Sequence, residues 1–139
     1  MGQLAEHVLN HPFLVGGLLV MFAAVVFVET RIRSQARFHV SAADAVRLMN
    51  GGAIVIDVRS PEEFQQGHIV NARNVELARL TSDPGSLKKQ KNKVLITVCD
   101  NGINSNRAAG VLRKAGFEKV FSLKGGLNGW RAENLPLVK

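Results

Sequence analysis

The longest unbroken feature of the chain is apolar. From His7 to Val28 there is no Asp, Glu, Lys or Arg, and Pro12 to Val28 reads PFLVGGLLVMFAAVVFV. With its interfacial neighbours this run spans most of a hydrocarbon core, which predicts one transmembrane helix over the segment 1–28. A core helix of that composition would be apolar all round, and the remaining residues are too few to cover it. A cleaved secretory signal would have positive charge before a shorter apolar stretch. Here Glu6 precedes the run and Glu29-Thr30-Arg31 follows it, so the segment reads as an uncleaved anchor.

After a basic linker, 29–37, the pattern alternates between two periods. Phe38-His39-Val40 predicts a first strand, and Ser41-Ala-Ala-Asp44 has the form of a helix N-cap with an acid in the first turn. Apolar Ala42, Ala45, Val46, Leu48 and Met49 follow at helical spacing until Gly51-Gly52. The β-branched run Ala53 to Val58 predicts a strand buried on both faces. Ser60-Pro61-Glu62-Glu63 then opens a helix that Gly67 closes. Lys93 to Cys99 predicts a second central strand, Asn104 to Ala115 a helix stopped by Gly116, and Lys119 to Leu123 a further strand. Strands alternating with short helices imply an α/β domain over 38–139, with a parallel sheet flanked by helices. In such sheets functional groups gather at the carboxyl ends of strands, where Cys99 sits.

Charge refines the picture. All 18 Lys and Arg and 10 of the 11 Asp and Glu follow residue 28, so this part carries a net +8. The cations are spread along the chain without interleaved aromatics, and only Lys88, Lys89, Lys91 and Lys93 cluster. This favours a solvated helix end and strand entry over nucleic-acid binding, and leaves attraction to acidic lipid headgroups open. Arg31, Arg33 and Arg37 flank the apolar run on one side only, which predicts a single-pass protein of the inner (cytoplasmic) membrane with its C-terminal domain in the cytoplasm. One cysteine supports neither an intramolecular disulfide nor a cysteine-based zinc site, and no metal or other cofactor is expected.

The loop Cys99-Asp100-Asn101-Gly102-Ile103-Asn104-Ser105 lies between a strand and a helix, where successive backbone N–H groups can converge on an anion. Such a cradle suits a thiolate or a cysteine persulfide. On these residues alone, Cys99 reads equally well as a small hydrophobe closing a strand.

A wider set of motifs changes that balance. Ile54-Val-Ile-Asp-Val-Arg59-Ser-Pro-Glu-Glu-Phe64-Gln-Gln-Gly-His-Ile69, the cysteine loop, Lys114-Ala-Gly-Phe117 through Val120, Leu123-Lys-Gly-Gly126, Trp130 and Asn134-Leu-Pro136 resemble, in order and spacing, the hallmarks of the rhodanese homology domain over residues 38 to 138. With the N-terminal anchor, the chain is similar to YibN-type single-pass rhodanese-domain proteins of bacteria. The resemblance implies a five-stranded parallel sheet and a cysteine that accepts sulfane sulfur as a persulfide and passes it to a nucleophile. It assigns Cys99 as the sulfur carrier and the backbone of Asp100 to Ser105 as its cradle. Asp57, Arg59, Glu63 and His68 match family positions, with an Arg59–Glu63 ion pair as the favoured structural role. A triad of Cys99 and His68 is a further hypothesis.

Two departures weaken thiosulfate chemistry. Active relatives usually carry a basic side chain directly after the cysteine and an arginine as the sixth loop residue, and those places hold Asp100 and Asn104. An acid beside the sulfur repels donor anions, and Arg107, inside the following helix, offers partial compensation. Phosphatase chemistry is disfavoured because position 105, where an arginine would bind phosphate oxygens, is serine. Three readings follow: a membrane-anchored sulfurtransferase with weak thiosulfate activity and a small-molecule or protein donor and acceptor; a non-catalytic module that presents its pocket face to a membrane-protein partner; and a thiol redox sensor, disfavoured without a resolving cysteine.

Overall fold

The computed structural model describes all residues from 1 to 139 and divides them into two units, Met1–Arg37 and Phe38–Lys139. In the first, α1 (Gly2–Asn10) stops at His11 and α2 runs from Pro12 to Ala36. Proline suits the first position of a helix because its missing N–H would have had no partner there. At 25 residues α2 is about 38 Å long. None of its residues is buried, and it is long and apolar enough to cross a membrane. Residues 29–36, expected as linker, are the last turns of this helix. No glycine or proline interrupts them, and Arg33 bridges to Glu29 at 2.6 Å across one turn.

In the second unit the β-branched runs become the middle of a sheet. β1 (His39–Val40), β2 (Ile54–Asp57), β3 (Arg73–Asn74), β4 (Leu95–Val98) and β5 (Val120–Leu123) lie in the order β1-β5-β4-β2-β3, and every pairing is parallel. The connecting helices are α3 (Ala42–Asn50), α4 (Pro61–Gln66), α5 (Leu77–Ser82), α6 (Ile103–Lys114) and α7 (Gly126–Ala132), with a 3-10 helix at Pro84–Gln90. The expected caps are present. The Ser41 hydroxyl accepts from the Asp44 amide, and Ser60 and Glu63 form a reciprocal capping box in front of Pro61. Between Gly67 and Lys93 the pattern marks only a helix end at the lysine cluster, because a two-residue strand and helices of six and seven residues leave little periodicity to read.

Pleating sends alternate residues of β2 and β4 to opposite faces. One face packs Ile56, Leu95 and Val120 against Leu80, Leu87, Ala108 and Leu112. The other packs Val55, Ile96 and Val98 against Ala45, Leu127 and Trp130. Both faces are covered, as a parallel sheet requires. Leu112 of α6 is fully buried, so Leu112→Ala is expected to cost about 2–5 kcal/mol, read as a lowered midpoint of urea unfolding of this unit.

Candidate functional site

The same alternation builds the site. Cys99 follows β4 immediately, and with Thr97 and Ser122 it belongs to the face that α6 covers. At the carboxyl end of the sheet this face turns polar. The Thr97 hydroxyl donates to the Ser105 carbonyl at 2.7 Å, and the Ser105 and Ser122 hydroxyls pair at 2.9 Å. Ser105, in the first turn of α6, is thereby fixed directly beside the sulfur.

Cys99 Sγ accepts from two backbone amides, Gly102 at 3.0 Å and Ser105 at 3.3 Å. As a thiol it can donate to Ser105 Oγ at 3.5 Å or Asn101 Oδ1 at 3.8 Å. Asn101 Oδ1 also accepts from the Ile103 amide at 3.0 Å, which closes the turn. Gly102 makes the reversal possible with φ of 93°, a conformation that a side chain would strain. Amide dipoles aimed at one atom stabilise negative charge there without a basic side chain. The cysteine is only 3% exposed, so little of it is open to a partner.

A second backbone clamps this loop from behind. At the start of α7 the Leu127 amide donates to the Cys99 carbonyl at 2.8 Å, and the Asn128 amide donates to the Asp100 carbonyl at 2.9 Å. Gly126, just before them in the chain, has φ of 59°, and a Cβ there would fall 2.6 Å from the Asp100 carbonyl oxygen and closer still to that of Cys99. Gly126, Thr97 and Ser122 were not singled out for this role by sequence. Polar residues inside otherwise apolar strands, Thr97 and Ser122, were the available signal.

Arg59 ties the neighbouring loop to the site. It is buried, it donates from Nε and Nη2 to the Asp57 carboxylate, with the closest contact at 2.8 Å, and Nη2 also donates to the Gly67 carbonyl at 2.7 Å. Its Nη1 reaches Asp100 Oδ1 at 3.3 Å. Burial works against the Arg59 charge, but hydrogen bonding and attraction from Asp57, with Asp100 and Glu63 adding, outweigh it and raise the guanidinium above its ordinary pKa.

These contacts correct three expectations. The favoured Arg59–Glu63 ion pair is not formed, because Glu63 turns back to cap α4 while Arg59 takes Asp57 and Asp100. The Asp100 charge is not left facing the sulfur uncompensated, since Arg59 pairs with it. No Cys99–His68 triad is present. His68 Nδ1 contacts the Phe64 carbonyl at 2.8 Å, its ring stacks on Phe64, and its backbone pairs with Val138. Asn104 and Arg107 are exposed and make no side-chain hydrogen bond or ion pair, so the cation fixed at the sulfur loop is Arg59, whose charge is already paired with Asp57 and Asp100. Asp57 is 1% exposed, so Arg59→Ala leaves a buried carboxylate unpaired and is expected to cost about 3–5 kcal/mol. Thermal unfolding should show the Arg59→Ala/Asp57→Ala double variant losing less than the sum of the two single changes.

Comparison with known proteins agrees with this architecture. The family model of the rhodanese-like domain matches residues 41–133. The chain is 33% identical over 141 residues to the uncharacterized protein YibN of Escherichia coli (strain K12), covering 100% of this chain and 99% of that one. It is 34% identical over 95 residues to the thiosulfate sulfurtransferase GlpE of Pseudoalteromonas translucida, covering 68% of this chain and 89% of the relative. The crystal structure of a rhodanese-related protein from Thermoplasma volcanium superposes with a TM-score of 0.66 at 28% identity, over 72% of this chain and 96% of that one. By its parallel five-stranded sheet, its cysteine loop and a match to the family over most of its length, this chain belongs to the rhodanese-like domain family.

Proposed function

We propose that this protein is a membrane-anchored sulfurtransferase that carries sulfane sulfur as a persulfide on Cys99, with its catalytic domain on the cytoplasmic side. The observation that carries the reading is the pair of amides, Gly102 and Ser105, aimed at Cys99 Sγ. The GlpE relatives, named as thiosulfate sulfurtransferases, support it by analogy. Anchoring rests on α2, an apolar helix with no buried residue, and on the arginines that follow the apolar run.

The chemistry balances without an external oxidant or a cofactor. The Cys99 thiolate attacks the outer sulfur of a donor such as thiosulfate, an S–S bond forms, and the donor's S–S bond breaks to release sulfite. A nucleophilic acceptor then takes the outer sulfur and returns the thiolate. When Cys99 loses its proton, the Ser105 hydroxyl can turn from acceptor to donor towards Sγ, with Ser122 behind it. The Asn104 amide, also in the first turn of α6, makes no hydrogen bond within the protein and is free for donor oxygens. Because Arg59, the cation fixed at the loop, is engaged by Asp57 and Asp100, thiosulfate is held by amides alone, and donors of lower charge are favoured over this dianion.

A second reading, a non-catalytic interaction module at the membrane, draws support from the burial of Cys99. Sulfur transfer from a low-molecular-weight persulfide to a thiol acceptor, followed with the full chain in detergent, separates the two. The carrier reading expects turnover that Cys99→Ser abolishes, and a wild type without turnover favours the module. Two variants test the electrostatic details. Ser105→Ala removes a hydrogen bond to the charged sulfur and is expected to slow transfer about tenfold or more. Asn104→Arg is expected to raise the rate with thiosulfate about tenfold while changing the rate with a persulfide donor far less.

A further inference from the structure

We propose that the amino-terminal end of the sheet is a docking surface for anionic phospholipid headgroups, which leaves the Cys99 loop directed away from the bilayer into the aqueous phase. The inference rests on the reading of α2 as a membrane anchor and adds an orientation to it.

All five strands are parallel, so they begin at one end of the domain and finish at the other. The Cys99 loop follows the carboxyl end of β4, about 13 Å along that strand from its start. The opposite end is basic. Two cavities there, of about 240 and 450 Å³, share Asn92 as a wall and are lined by four cations, Lys91 and Lys119 in one and Arg47 and Lys93 in the other. All four residues are exposed. The opposing acids are Glu118, on the rim of the smaller cavity, and Asp44, which lies 3.9 Å from Arg47. Lys88 and Lys89, in the last turn of the 3-10 helix that leads to this end, and Lys114, in the last turn of α6, add further charge.

The chain also enters the domain at this end. Phe38 adjoins Arg37 in sequence, its carbonyl accepts from the Ser122 amide at 2.8 Å, and its ring lies 4.1 Å under the Arg113 guanidinium. Arg113 in turn donates to the Val120 carbonyl at 3.3 Å. The entry point is thus fixed at the start of β1, beside Ser122 of β5 and against the Arg113 side chain that reaches the first residue of β5, only ten residues after the apolar run ends at Val28. An anchored domain held by so short a tether meets headgroups at a high effective concentration. Clustered lysines at that distance are attracted by an anionic leaflet.

The test uses the full chain reconstituted into vesicles of phosphatidylcholine alone, or with about one third phosphatidylglycerol, and follows amide hydrogen exchange by segment. Docking predicts exchange about fivefold slower or more over 87–94 and 114–119 in the anionic vesicles only, reversed by about 0.5 M salt, with 99–106 unchanged. The exposed variant Lys91→Glu/Lys93→Glu/Lys119→Glu should lose the protection and keep persulfide loading. Flotation separates headgroup docking from anchoring. Chain that floats with both vesicle types but shows no lipid-dependent protection overturns docking and keeps the anchor. Chain that floats only with anionic vesicles and is stripped by salt overturns the anchor and keeps docking. Chain that floats with neither overturns both. Protection centred on 99–106, or equal protection of 87–94 by an oligonucleotide without vesicles, also overturns the proposal.

Discussion

The site depends on one turn of backbone that delivers the amides of Gly102 and Ser105 to a single sulfur atom. Several independent constraints hold that turn. Gly102 supplies the left-handed reversal, Asn101 closes it through the Ile103 amide, and Thr97 fixes Ser105 through its carbonyl. From behind, α7 donates to the carbonyls of Cys99 and Asp100, in a contact so close that only glycine fits at position 126. Because the groups that stabilise charge belong to the main chain, the loop's side chains can vary without removing the cradle. In this chain that freedom appears as Asp100 and Asn104.

The polarity of the parallel sheet organises the rest. Strand ends on one side carry the cysteine loop, and strand beginnings on the other carry the chain entry and most of the lysine-lined surface. Arg59 links the loop after β2 to the loop after β4 by holding Asp57 and Asp100 together. A buried ion pair of this kind is weak evidence for stability, since well-packed apolar side chains often do as well. Its visible effect is geometric: it draws the Asp100 carboxylate to a guanidinium, and with it the first residue after the cysteine.

Much of this architecture was legible in the residues. The β-branched runs around Val55 and Ile96 read as central strands because they are buried on both faces, and Ser41 and Ser60 read as helix starts because their side chains do the capping, with Pro61 in the first helical position. The helix after the cysteine begins at Ile103 and ends at Lys114, one residue earlier at each end than its pattern suggests. What the pattern missed had physical reasons. β3, α5 and the 3-10 helix are too short to establish a period, and Glu29 to Ala36 read as linker because they are charged and polar, although no helix breaker lies among them. In the site, sequence proximity favoured Glu63 as the partner of Arg59. The fold instead brings Asp100 to Arg59 from 41 positions away, a relation that only the sheet order creates. The same order places Ser122 behind Ser105.

The central claim is that the cradled sulfur accepts another sulfur. Mass measurement of the peptide containing Cys99, after the full chain is incubated with a persulfide donor under non-reducing conditions, tests it most directly. The account predicts a gain of about 32 Da on Cys99, removed by a thiol reductant and absent from Cys99→Ser. A Cys99 peptide that stays unmodified with every sulfane donor, while the folded chain remains intact, would contradict it.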